Sequence, residues 1–104
     1  MVTTLAKVIA LPGKESLLEE VCINLAKETR ANEKDCLQYL PYVSGENPAE
    51  IIIIGKYADE NALQAHITSP HAKVAIKKLE GIVAEKVTDI LDGNLIVNVL
   101  QELA

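Results

Sequence analysis

The chain has 104 residues, with 10 Lys+Arg against 15 Asp+Glu and a formal net charge of −5. That length fits a single domain over residues 1–104, with a real core and little surplus burial. The acid excess excludes nucleic acid and anionic membranes as partners, since both need a cationic footprint, and no run approaches the roughly 20 apolar residues of a membrane span.

There is no Trp and no Phe, and the tyrosines are Tyr39, Tyr42 and Tyr57, so a site that stacks a planar ligand has little aromatic material to use. Cys22 and Cys36 are too few to staple a secreted fold and lack metal-site spacing. Met1 to Leu11 lacks the basic region and apolar run of a signal peptide. The expectation is a reduced, cytoplasmic protein.

Residues 2–11 are aliphatic and β-branched and are stopped by Pro12-Gly13, which predicts a first strand. Lys14 to Arg30 follows helical period, with Leu17, Leu18, Val21, Cys22, Leu25 and Ala26 on one face. Cys36 to Val43 predicts a second strand, and Pro41 marks it as an edge strand or a bulged one. Ser44 to Pro48 is a turn-rich connector. Ile51-Ile52-Ile53-Ile54 does not alternate, the mark of a strand covered on both faces.

Asp59 caps a short helix from Glu60 to His66. Ser69-Pro70 opens another, with Ser as cap and Pro at the first helical position. Its apolar face predicts continuation through Ile82 and Val83, with Gly81 as a weak spot inside. Asp92-Gly93-Asn94 is a turn signal, and Leu95 to Leu100 predicts the last strand. The order β-α-β-β-α-α-β is an α+β, ferredoxin-like pattern with an antiparallel sheet and a broken second crossover helix.

Helices on one sheet face cover one row of side chains per strand. In Ile51 to Ile54 and Leu95 to Leu100 both rows are largely apolar. A bare aliphatic face of that kind drives association, which predicts a homodimer packed sheet to sheet. The alternative is a C-terminal tail folded over the open face.

Several stretches carry a resemblance. They are Ala6 to Lys14, Thr29-Arg30-Ala31-Asn32-Glu33, Asp35 to Tyr39, and Tyr57 to His66 followed by Ser69-Pro70-His71. In this order and spacing the chain resembles the antibiotic biosynthesis monooxygenase family of dimeric α+β barrels, which includes quinol monooxygenases. The resemblance implies a sheet-to-sheet dimer and a pocket between sheet and helices in each subunit. It also implies oxygenation of quinol-like or polyphenolic substrates by dioxygen without a cofactor. Relatives in the wider group isomerise small signalling molecules or open haem. The chain departs from the family pattern at three places. The usual Glu-x-Trp of the third strand is Gly55-Lys56-Tyr57, the common Gly-Cys is Asp35-Cys36, and the aromatic that often follows Ser-Pro-His is Ala72.

Cofactor-free oxygenation needs a base or an acidic substrate, donors for the resulting oxyanion, and a site that excludes water. His66, at the C-terminal end of its helix where the dipole favours imidazolium, is the first candidate base; a capping or core histidine is the plain alternative. His71 lies in the first turn after Ser69-Pro70, where neutral imidazole is favoured, and the two can divide acid and base roles. Tyr57 and Tyr39 are candidate donors to a substrate oxygen, or ordinary strand aromatics.

Cys36 opens a strand near Lys34 and is the better candidate for a thiol contact with substrate, Cys22 being expected in the core. Lys7 is the one charge inside the first strand, expected to pair with an acid at the dimer interface or to snorkel to solvent. The two histidines are five apart across a Pro break, off the i, i+4 spacing of a helical ligand pair, and no acid or Cys ligand is obvious nearby, so no metal is expected. The function these residues imply is a monooxygenase acting on a quinol-like or enolisable carbonyl compound. The alternative is a non-catalytic dimeric module that binds a small molecule or supports an assembly.

Overall fold

The computed structural model of the chain describes residues 1–91 and 100–102, and side chains up to residue 84. Strands β1 (Val2–Ala10), β2 (Cys36–Ser44), β3 (Glu50–Tyr57), β4 (Val83–Leu91) and the short β5 (Leu100–Glu102) form one sheet in the order β4-β1-β3-β2-β5, with every pairing antiparallel. Helices α1 (Glu15–Asn32), α2 (Glu60–Ile67) and α3 (Pro70–Leu79) complete it. The four long strands and three helices make the α+β, ferredoxin-like arrangement expected from the element order. No described helix is long and apolar enough to cross a membrane.

The pleat sorts the side chains. Val8 stands opposite Ile51 and Ala6 opposite Ile53, on the face that meets α1. Leu18, Cys22, Ala26 and Thr29 are the buried row of α1, at the three- and four-residue spacing of a single helix face. The other row brings together Leu5, Ile9, Leu40, Tyr42, Ile52 and Ile54 by register, most of them half-buried. Lys7 lies in that row and pairs with Glu50 of its own chain at 3.6 Å.

Local signals explain the boundaries. Gly13 takes φ 83° in the turn after β1, a conformation that suits glycine. Asp59 accepts the Ala62 N–H, and Ser69 that of Ala72, as N-caps. Among the described residues β5 pairs with Tyr42 to Ser44 and not with Pro41, and the β2 register shifts between Cys36 and Gln38.

Two expectations need correction. The helix expected through Val83 ends at Leu79, because Gly81 takes φ 80° and turns the chain. Ile82 and Val83 owe their apolar character to packing on the core beyond the helix. The strand that follows, β4, pairs along nearly the whole of β1. Of the strand expected at Leu95 to Leu100, only Leu100 is described, opening β5; the Asp92-Gly93-Asn94 turn lies outside the described residues.

Candidate functional site

Three helix ends meet. Glu33 is the C-cap of α1, His66 sits in the last turn of α2, and His71 in the first turn of α3. Ser69 sets the elbow between the last two: its hydroxyl donates to the His66 carbonyl at 2.7 Å and accepts the Ala72 N–H at 3.2 Å. The α1 end is held on β2 by Arg30, whose guanidinium donates to the Tyr39 carbonyl at 3.1 Å.

Glu33 Oε2 receives both rings. His66 Nδ1 lies 2.9 Å from it, and His71 Nε2 contacts the same oxygen. A carboxylate oxygen only accepts, so each ring offers it an N–H, through His66 Nδ1 and His71 Nε2. The side chains of Glu33, His66 and His71 are only 10–13% exposed, so their mutual electrostatics act in a medium less screening than water. The other carboxylate oxygen, Oε1, is buried without a partner among the described residues.

The remaining candidates surround His66. Its ring centre is 4.7 Å from that of Tyr39, 5.5 Å from Tyr57 and 6.2 Å from His71. Tyr57 shares a hydrogen bond with the Thr4 side chain. Burial pushes both phenols well above their ordinary range; at Tyr39 the neighbouring Tyr57 adds to it, and at Tyr57 the Cys36 thiol. Cys36 is pushed up to about 11 by burial and then by Glu33, and its thiol points a weak hydrogen bond at the Gln38 carbonyl, 3.4 Å away. Cys22, in the core, is pushed up to about 12 by burial and then by Glu19. These phenols and thiols therefore stay neutral near pH 7. They are hydrogen-bond donors, and Cys36 is not a thiolate nucleophile.

An open groove of about 840 Å³ runs between α1 and α3. Val21, Leu25 and Val74 give it apolar walls, while Glu33, His71 and Lys78 add charge and polarity. His71 and Glu33 face this groove; His66, Tyr39 and Tyr57 stand behind them and are not part of its lining.

The structure thus gathers His66, His71, Tyr39, Tyr57 and Cys36 in one region and adds Glu33, to which the sequence reading gave no role. Contrary to the expectation of no acid ligand near the histidines, Glu33 reaches both from 33 and 38 positions away. The elbow at Ser69-Pro70, and no single helix face, aims the two rings. The ligand atoms of Glu33, His66 and His71 lie within 4.8 Å of one another.

The sequence profile of the antibiotic biosynthesis monooxygenase family matches residues 1–78. Among solved structures, a conserved protein from Methanosarcina mazei Go1 is 28% identical with a TM-score of 0.81, over 89% of this chain and 92% of that one. A candidate antibiotic biosynthesis monooxygenase from Caulobacter crescentus CB15 is 26% identical with a TM-score of 0.83, over 90% of each chain. PA3566 from Pseudomonas aeruginosa is 24% identical with a TM-score of 0.83, over 90% of this chain and 94% of that one. No curated protein matches significantly. With three quarters of its length inside the profile, the chain belongs to the antibiotic biosynthesis monooxygenase family.

Proposed function

We propose that the protein is a cofactor-independent, cytoplasmic monooxygenase acting on a quinol-like or enolisable carbonyl compound. The observation that carries this reading is the Glu33 carboxylate holding His71 at the wall of the α1/α3 groove and His66 behind it. Fixing the N–H of each ring on Glu33 turns the opposite nitrogen into a lone-pair base, the arrangement by which a carboxylate orients a catalytic histidine. His71 Nδ1 takes the proton of a substrate in the groove. Glu33 stabilises the imidazolium, and His66 positions Glu33 from behind.

The substrate anion is the electron donor and dioxygen the oxidant. One oxygen atom enters the carbon framework and the other leaves as water, so the CH2 group of an enolisable carbonyl, or of the keto tautomer of a quinol, becomes a carbonyl and the substrate supplies all four electrons. Tyr39, Tyr57 and the Cys36 thiol, all kept neutral by burial, provide the protonated surroundings behind the base. The working unit is a homodimer packed through the Leu5, Ile9, Ile52 and Leu40 face of the sheet.

Oxygen uptake with a panel of hydroquinones and 1,3-diketones tests the reading, comparing the native chain with His71→Ala and His66→Ala. Loss of the base is expected to lower kcat by roughly 10²–10⁴ for His71→Ala and less for His66→Ala. Equal rates in all three proteins, or none above background, would remove it.

A further inference from the structure

We propose that Glu33, His66 and His71 also form a binding site for one divalent first-row transition-metal ion. Two imidazoles and one carboxylate suit zinc, cobalt, iron or manganese as a donor set. The three ligands come from three different elements, at the end of α1, the end of α2 and the start of α3. Their backbones are held by the Ser69 elbow and by the Glu33 N–H, which donates to the Thr29 carbonyl at 2.9 Å. The ligands are therefore positioned before an ion arrives.

Size agrees. In a tetrahedral site with metal–ligand bonds of roughly 2.1 Å, two donors stand about 3.4 Å apart. The donor atoms here lie within 4.8 Å of one another, so the widest pair closes by at most about 1.4 Å, shared between two side chains. The unpartnered Glu33 Oε1 is a second, independent pointer. A buried acceptor without a donor is costly, and a cation at the carboxylate satisfies it. Glu33 and His71 border the groove, which gives an ion a route in and leaves coordination positions open to a small ligand.

This site does not rest on the monooxygenase reading, and it competes with it. A metal on His71 Nε2 puts the ring proton on Nδ1, the atom proposed to accept the substrate proton. Metal loading and oxygenation are mutually exclusive.

The test is calorimetric titration of the chelator-treated protein with Co2+ and then Zn2+, with the visible absorption of cobalt as a second readout. One ion per chain is expected, with a Kd in the micromolar range or tighter, and with cobalt bands of a low-symmetry nitrogen–oxygen site. Glu33→Gln and His71→Gln are each expected to weaken binding at least about tenfold, while Asp35→Asn, an exposed neighbour, leaves it unchanged. Circular dichroism of each variant separates lost binding from lost folding. No saturable binding up to about 100 μM ion, or equal binding by folded Glu33→Gln, overturns the proposal. Either failure leaves the oxygen-uptake test of the native, metal-free chain standing.

Discussion

The ring of Tyr57 folds back over Gly55. A Cβ at residue 55 would lie 2.7 Å from the Tyr57 hydroxyl oxygen and 3.0 Å from Thr4 Oγ1. Tyr57 is 1% exposed. The family's usual acid at this position would meet the same obstruction, so Gly55 and the inward Tyr57 belong together. Gly55→Ala is expected to lose about 1–3 kcal/mol through overpacking, although Gly→Ala often stabilises where the backbone and space allow. Urea denaturation decides it; unchanged or higher stability would show that the ring is free to move.

Ser69 has two duties, capping α3 and tying the His66 carbonyl. Ser69→Ala is expected to cost about 0.5–2 kcal/mol, the range for a lost N-cap. It is also expected to shift the imidazole NMR resonances of both histidines, because it loosens the elbow that aims them. A thermal melt and a histidine spectrum report the two effects separately.

Alkali should destabilise the fold through the core thiol. Cys22 is pushed up from the ordinary 9.0 to about 12. Above pH 9 the unfolded chain gives up this proton while the folded chain keeps it, so the folded state binds more protons and stability falls as pH rises. The fall is confined to the window between about 9 and 12, and one fully buried thiol contributes at most about 1.4 kcal/mol per pH unit. Denaturation midpoints across that window are expected to decline less steeply in Cys22→Ala. Identical slopes would remove Cys22 as the cause.

The chain is expected to sediment as a dimer at micromolar concentration. Ile52→Glu, in the middle of the half-buried apolar row, is expected to yield monomers by placing a charge in an apolar contact. Lys7 is matched by Glu50 within its own chain, so the dimer is expected to be nearly indifferent to ionic strength. A monomeric native chain would sink the sheet-to-sheet reading.

Much of the fold could be read from punctuation. Pro12-Gly13, Asp59 and Ser69-Pro70 sit where strands and helices begin or end, each for a backbone reason visible in the residue type. β4 does not show in the residue pattern because Glu85, Lys86 and Asp89 interrupt its apolar residues, and its membership depends on pairing with distant β1. Gly81 was read as a weakness inside a helix when its left-handed φ ends that helix.

The site divides similarly. Histidines and tyrosines advertise themselves by type, whereas Glu33 becomes visible only when α1 folds back against the α2–α3 elbow. One local hint existed: an acid at a helix C-terminus opposes the macrodipole, and here it is retained in contact with two imidazoles.

The elbow has a consequence for how this cluster can vary among related chains. His66 and His71 point at one oxygen because the link between α2 and α3 has a fixed number of residues. Adding or deleting a single residue there moves the start of α3 by up to about 3.8 Å, carrying His71 away from Glu33 while leaving every side chain intact. Loop length, more than side-chain identity, decides which descendants of this sequence keep the cluster.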